Sequence, residues 1–108
     1  MVYTIDELRS KILPIVQEYQ IHTVYLFGSY ARGTATENSD VDILIDTDGS
    51  CVNDLLMLGG LYSDLEDALQ KSIDLVTVAS ISQPTSKRSQ LHFRENMLRE
   101  RIPLYVAA

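Results

Sequence analysis

Two short motifs carry the side chains of this chain that are best suited to chemistry. Gly28 and Ser29 close one apolar run, and Asp40 and Asp42 follow after a ten-residue gap, at the start of a second apolar run. Alternate residues of a strand face the same way, so the two carboxylates should point together from one side. A divalent cation relieves their repulsion most naturally, and Mg²⁺ typically binds one or two carboxylates plus substrate phosphates.

The Gly28-Ser29 pair has the composition of a phosphate-binding turn. A glycine permits a tight turn with exposed backbone N–H groups, and the serine adds a hydroxyl, so the pair would bind the β- and γ-phosphates of a nucleotide. The motifs together predict a metal-dependent enzyme that acts on a nucleoside triphosphate. The simpler alternatives are a plain turn glycine, a serine at a helix N-cap and two solvated turn aspartates. No P-loop and no zinc-ligand spacing is present in the sequence.

The spacing of these residues resembles the signature of the polymerase beta-type nucleotidyltransferase superfamily. Residues 30–33 and 39–42 are similar to the minimal nucleotidyltransferase (MNT) family within it. Residues 72–77 resemble that family's strand with a third carboxylate, and residues 101–105 resemble its usual ending. The resemblance covers nearly the whole chain. It implies an α/β (α+β) nucleotidyltransferase fold, in which helices flank a small mixed β-sheet.

The resemblance also implies roles for three carboxylates. Asp40 and Asp42 would hold Mg²⁺ against the triphosphate, with ATP as the expected nucleotide. Asp74 would ligate a second Mg²⁺ ion or take a proton from the acceptor hydroxyl, so all three residues would be both catalytic and metal-binding. The alternative for Asp74 is a strand-edge acid or a cap.

The other polar residues give weaker signals. Arg32 could reach the triphosphate or an acceptor, and a solvated helix arginine is an equally good interpretation. Asp46 lies about 13 Å along a strand from Asp42, at ~3.3 Å per residue, so one metal ion cannot bind both. We interpret Asp46 as a turn residue, and His22 and His92 as surface or packing residues.

Length and composition indicate one small globular domain, residues 1–108, with 45% hydrophobic and 22% charged residues. No apolar run approaches the ~20 residues that a membrane-spanning helix needs, and no signal peptide is evident. Cys51 is the single cysteine, which favours a cytoplasmic location.

The charge of the chain bears on its partners. The net charge of −6 argues against direct binding of nucleic acid and is more compatible with a basic protein partner. More than half of the nine cationic residues lie in the last quarter, at Lys87, Arg88, Arg94, Arg99 and Arg101.

The hydrophobic pattern predicts the order helix, strand, strand, helix, strand, helix. Thr4 and Glu7 form a capping box, and Pro14 should kink or divide the helix that follows. Strands are expected at 23–28, 41–46 and 73–78, and helices at 53–71 and 86–100. A connector at 80–85 precedes the last helix, and Pro103 lies beyond its end.

Two finer expectations concern the later helices. Gly59-Gly60 weakens the first half of the helix predicted at 53–71, so that helix could begin after the pair. Five side chains at helical spacing should form its buried side, namely Leu55, Leu58, Tyr62, Leu65 and Leu69. In the last helix Leu91, Met97 and Leu98 are the expected apolar anchors, and Ile102 and Leu104 are assigned to the core.

Three functions remain open. The MNT resemblance implies an antitoxin that neutralises a HEPN-domain toxin, a helical ribonuclease, by transferring AMP from ATP to one of its tyrosines. A small chain has little room for an acceptor domain, so a protein acceptor with its own docking surface is favoured, and a homo- or hetero-oligomer is open. The alternatives are an antitoxin that acts by direct contact without catalysis, and a small-molecule nucleotidyltransferase of the aminoglycoside-modifying type.

Overall fold

A computed structural model describes residues 2–107, in which helices flank a four-stranded mixed sheet with the strand order β3-β2-β1-β4. β1 runs antiparallel to both β2 and β4, and β2 runs parallel to β3. The sequence-based expectation of a small mixed sheet flanked by helices is confirmed. Along the chain the elements are α1 (Ile5–Glu18), β1 (Thr23–Phe27), α2 (Gly28–Arg32), β2 (Val41–Asp46), α3 (Leu55–Leu69), β3 (Ile73–Thr77), α4 (Val78–Ile81), α5 (Arg88–Glu100) and β4 (Ile102–Val106).

The two faces of the sheet bury different side chains because strand residues alternate between them. One face packs against α1 and α3 and forms the main core, with Val41, Ile43 and Ile45 of β2 among its fully buried residues. The other face carries a smaller cluster of Phe27, Leu44 and Met97. Since Met97 belongs to α5, this helix closes the second face. No helix among the described residues is long and apolar enough to cross a membrane.

Helix α1 begins with the predicted capping box, in which the Thr4 hydroxyl and the Glu7 carboxylate each accept a backbone N–H. The expectation that Pro14 divides the helix is wrong, because α1 runs without a break to Glu18. Pro14 lies on the exposed side, where water can satisfy the carbonyl that its missing N–H leaves free. The buried residues Leu8, Ile12 and Val16 hold the helix on the sheet.

Helix α3 begins at Leu55, before Gly59-Gly60, so the expected later start is wrong. The Asp54 side chain accepts the Met57 N–H at 2.8 Å and caps the helix at that point. Leu55 is 85% exposed and Tyr62 is 38% exposed, which limits the fully buried side to Leu61, Leu65 and Leu69.

The end of the chain departs most from the sequence-based expectation. Residues Ile102–Val106 form the edge strand β4, which the sequence analysis did not predict. An edge strand tolerates Pro103, because one row of its backbone groups has no strand partner, and the ladder between β1 and β4 also carries an irregularity. Leu91 and Leu98 are about half exposed and anchor nothing, so Met97 is the buried anchor of α5.

The predicted connector at 80–85 begins two residues later than expected, at residue 82. Strand β3 ends at Thr77, and the helical turn α4 follows directly. The Thr77 hydroxyl accepts the Ser80 N–H at 3.1 Å and so caps this turn.

Candidate functional site

Two aspartates meet where the parallel strands β2 and β3 begin. Asp42 and Asp74 are directly opposite each other in the register of these strands. Both have the parity of Leu44 and Val76, which pack in the smaller cluster, so both carboxylates lie on the α5 face of the sheet. Asp42 is half-buried, whereas Asp74 is exposed. The strand pairing therefore places one half-buried and one exposed carboxylate side by side.

Gly28 brings the backbone of the next element against this pair. It follows Phe27, the strand partner of Asp42, and opens α2 with a φ of +72°. A Cβ atom at position 28 would lie 1.9 Å from Oδ2 of Asp42, so the carboxylate occupies the space that any side chain would need. Glycine is required here both by the left-handed backbone and by the close approach.

The surroundings of Asp42 oppose its ionisation. Burial raises the pKa of Asp42 to about 6, with further contributions from the negative charges of Asp74 and Asp40 and a partial offset from the positive charge of Arg32. A carboxylate held among other carboxylates in a partly dry position is a typical property of functional sites. A bound cation would remove most of this penalty.

The pair opens into a cleft of about 310 Å³ between the sheet and α5. Phe27, Gly28, Arg32, Asp42 and Asp74 line it on the sheet side. Helix α5 lines it on the other side, with Phe93, Asn96, Met97 and Glu100. Phe93, Asn96 and Glu100 were not among the site residues predicted from the sequence. Their spacing of three, four and seven residues was the available signal, because it places them on one side of a helix.

Arg32 lies in the cleft and is paired across it. Its Nη1 is 3.0 Å from Oε2 of Glu100, which links α2 to the end of α5. Both side chains remain partly exposed, at 48% for Arg32 and 31% for Glu100. Arg32 is the cationic residue among those that line the cleft. The arginine is therefore placed to meet an anionic ligand, but a carboxylate of the protein already holds it.

Asp40 and Ser29 lie near the cleft without lining it. Asp40 precedes β2, is exposed, and borders a neighbouring depression together with Ser39 and Lys71. It is close enough for its charge to raise the pKa of Asp42. Ser29 is the second residue of α2, and its carbonyl accepts the Thr34 N–H at 2.9 Å. The N-cap of α2 is Phe27, so Ser29 does not cap the helix.

The donor atoms of this site fit a cation that is completed by its substrate. Within residues 2–107, no three carboxylate, imidazole or thiol groups are arranged to hold a metal ion by themselves. Mg²⁺ does not require such an arrangement, because it usually takes one or two protein carboxylates and fills its other positions with phosphate oxygens and water. Asp42 and Asp74, with Asp40 beside them, meet that requirement.

Comparison with known proteins agrees with this geometry. Residues 9–102 match the family model described as nucleotidyltransferase domain. Protein adenylyltransferase MntA of Thermococcus cleftensis is 34% identical over 88 residues, which cover 78% of this chain and 87% of that protein. A Methanocaldococcus jannaschii protein, whose name assigns it provisionally to the protein adenylyltransferases, is 40% identical over 76% of this chain and 82% of its own.

Two solved structures share the fold. One is a crystal structure of a toxin–antitoxin with AMP-PNP, with a TM-score of 0.68, 24% identity, and coverage of 92% of this chain and 73% of that one. The other is a tri-AMPylated Shewanella oneidensis HEPN toxin in complex with MNT antitoxin, with a TM-score of 0.64, 20% identity, and coverage of 95% and 73%. Because the family model spans most of the chain and the Thermococcus relative aligns over most of both proteins, this chain belongs to the nucleotidyltransferase domain family and is a transferase.

Proposed function

We propose that this chain is a protein adenylyltransferase, a single minimal nucleotidyltransferase domain that transfers AMP from ATP to a tyrosine hydroxyl of a HEPN-domain toxin. In this role it acts as an antitoxin in the cytoplasm. The observation that carries the proposal is the direct pairing of Asp42 with Asp74 beside Gly28, at the inner end of an open cleft. The choice of acceptor is supported by the Thermococcus cleftensis relative, a protein adenylyltransferase MntA, and by the two toxin–antitoxin structures that share the fold.

The reaction forms one bond and breaks one bond. The acceptor oxygen attacks the α-phosphorus of ATP, and the bond between that phosphorus and the oxygen bridging to the β-phosphate breaks, so pyrophosphate leaves. The proton of the acceptor hydroxyl passes to a carboxylate of the site. Bound Mg²⁺, two ions in the full proposal, would neutralise the charge that develops on the phosphoryl oxygens.

The exposure of each carboxylate suggests its role. Asp42 is half-buried against Gly28 and would hold the metal ion with Asp40, which approaches from the solvent side. Asp74 is exposed, so an incoming hydroxyl can reach it, and we assign it the acceptance of the proton or the ligation of the second ion. Gly28, Ser29 and Arg32 would bind the phosphates, with Arg32 leaving Glu100 to do so.

The experiment that tests this proposal uses two radioactive labels. Purified protein, Mg²⁺ and the HEPN-domain partner are incubated with [α-³²P]ATP or with [γ-³²P]ATP, and the labelled tyrosine is located by mass spectrometry. Transfer of the α-label alone indicates AMP transfer, whereas transfer of the γ-label would indicate phosphorylation. Asp42→Asn should abolish labelling. Asp46→Asn is the matched control, because Asp46 lies at the far end of the same strand and outside the cleft.

Two added assays, toxin neutralisation by the same variant and pyrophosphate release with a small hydroxylated acceptor, separate the two alternatives. If Asp42→Asn abolishes labelling but the variant still neutralises the toxin, direct contact is sufficient and catalysis is dispensable. If the wild-type protein releases pyrophosphate with a small hydroxylated acceptor and labels no protein, the small-molecule alternative replaces the proposal.

A further inference from the structure

Phe93 is the residue of the cleft that the assigned roles leave unexplained. Its side chain is 47% exposed, although it belongs to the helix that covers the sheet. It lines the cleft on the α5 side. A phenylalanine that only filled the core would be buried, as Phe27 is at 4% exposure. An exposed aromatic ring that faces a cleft with both cationic and anionic side chains suggests that the ring meets a ligand.

The ring is also held in place. Its centroid lies 6.1 Å from that of Phe27, and the planes meet at 80°, which is an edge-to-face contact. Phe27 in turn is the last residue of β1 and the strand partner of Asp42. The aromatic ring is therefore fixed relative to the carboxylates through a single buried residue.

The cleft has two chemically different ends. Glu100 marks one end, where it pairs with Arg32 near the start of α2. Phe93 lies seven residues earlier on the same helix, which corresponds to about 10 Å along the axis at ~1.5 Å per residue. A nucleoside triphosphate is polar and anionic at one end and flat and aromatic at the other, with a comparable separation between its phosphates and its base.

We propose that Phe93 contacts the nucleobase of the bound nucleotide and that α5 thereby forms the nucleoside-binding wall of the site. This inference rests on the proposed function, because it takes the phosphates to lie near Gly28 and Arg32. An aromatic ring stacks on any base, so Phe93 supplies affinity for the nucleoside part and little choice between bases. Asn96, one turn further along the same wall, is placed beside the same ligand.

Binding of two ligands tests the inference without any acceptor protein. Isothermal titration calorimetry measures the affinity for Mg²⁺–AMP-PNP and for Mg²⁺–tripolyphosphate, which lacks the nucleoside. Phe93→Ala should weaken AMP-PNP binding about 10-fold or more and leave tripolyphosphate binding within about 2-fold. Phe93→Tyr should keep most of the AMP-PNP affinity. Leu91→Ala is the matched control, because Leu91 is 46% exposed on the same helix and lies outside the cleft.

Each outcome decides the question. If Phe93→Ala binds AMP-PNP as the wild type does, the ring serves another purpose, such as contact with the acceptor protein, and the inference is overturned. If both ligands weaken equally, Phe93 supports the fold and the inference is also overturned. If the wild-type protein binds neither ligand, the proposed function itself fails, which is distinguishable from failure of the Phe93 assignment alone.

Discussion

The two faces of the sheet share their strands but differ in what they leave open. On the face covered by α1 and α3, Val41, Ile43 and Ile45 are each 0% exposed, and helices close over them completely. On the α5 face Leu44 is equally buried, but Asp42, two residues earlier on the same side, borders the cleft. Two positions along β2 thus separate a residue of the core from a residue of the candidate site. Neighbouring substitutions should therefore affect different properties.

The largest expected effect is on catalysis. Asp42→Asn should reduce AMP transfer by at least about 1,000-fold, because in the proposed mechanism it removes the half-buried carboxylate that would hold the metal ion. The free energy of unfolding without metal should not fall, since the substitution removes a repelled charge. The initial rate of label transfer and a urea unfolding curve measure the two properties. Normal AMP transfer by this variant would contradict the assignment of the site to the α5 face of the sheet.

The next effect is on stability. Ile43→Ala should lower the free energy of unfolding by about 3 kcal/mol, because it removes buried methyl groups and leaves a cavity in the main core. Protein that remains folded should keep its affinity for AMP-PNP, since Ile43 points away from the cleft. Urea unfolding and calorimetric titration at low temperature provide the measurements. A selective loss of nucleotide affinity would show that the faces are coupled.

A smaller effect is expected where the backbone of α2 meets Asp42. Gly28→Ala should reduce transfer about 100-fold, because its Cβ would displace Oδ2 of Asp42. Gly49→Ala is the matched control, since Gly49 also has a φ of +72° but a Cβ there would only touch His22 at 3.5 Å. Both variants should lose about 1–2 kcal/mol of stability from the backbone conformation. Equal activities of the two variants would count against a role for the close approach.

The stability of the protein should also depend on pH, through Asp42 on the α5 face of the sheet. The pKa of Asp42 in the folded protein is about 6, above its ordinary value of 3.8. Between these two pH values the folded state keeps a proton on Asp42 that the unfolded state has lost. Its stabilising contribution is fully present below the ordinary value and is lost as pH rises through about 6. With EDTA present, Asp42→Asn should gain about 1–2 kcal/mol relative to wild type between pH 4 and pH 7.5, allowing for solvent screening. If the difference in free energy of unfolding between Asp42→Asn and the wild type does not change with pH, the titration of Asp42 is not its cause.

The smallest predicted effect concerns the charge balance in the cleft. Glu100→Gln should strengthen tripolyphosphate binding about 3-fold, because Glu100 pairs with Arg32, which in the proposed site would bind the phosphates. Glu95→Gln changes the net charge equally on the exposed side of the same helix and should have less effect. Weaker binding by Glu100→Gln would instead mean that Glu100 orients Arg32 for the ligand.

The motif residues of the α5 face could be predicted from the sequence because each is specified locally. Gly28 follows the end of β1, Asp42 is the second residue of β2, and Asp74 is the second residue of β3, which pairs with β2. Strand parity predicted a shared direction for Asp40 and Asp42 only. The meeting of Asp42 with Asp74 also depends on the register between β2 and β3, for which the family resemblance was the only signal.

The opposite wall of the cleft could not be predicted in the same way. Helix α5 carries apolar residues on more than one side, so periodicity alone could not tell that Met97 would be buried while Leu91 and Leu98 stay exposed. The packed side depends on how the chain returns to the sheet through β4. Strand β4 was not predicted because it contains Pro103, and proline is common just after a helix and rare within a sheet.

The attachment of α5 has a consequence for how the site is protected from water. The helix ends at Glu100, and β4 begins at Ile102. Between them, Cζ of Arg101 lies 4.3 Å from the centroid of the Tyr25 ring. At the middle of the helix, Arg94 donates to the carbonyls of Gln83 and Ser80. Because contacts hold α5 at its middle and at its end, the helix is poorly suited to close over the site as a lid. We therefore expect the protein that receives AMP to serve also as the cover, excluding hydrolytic water only while it is docked.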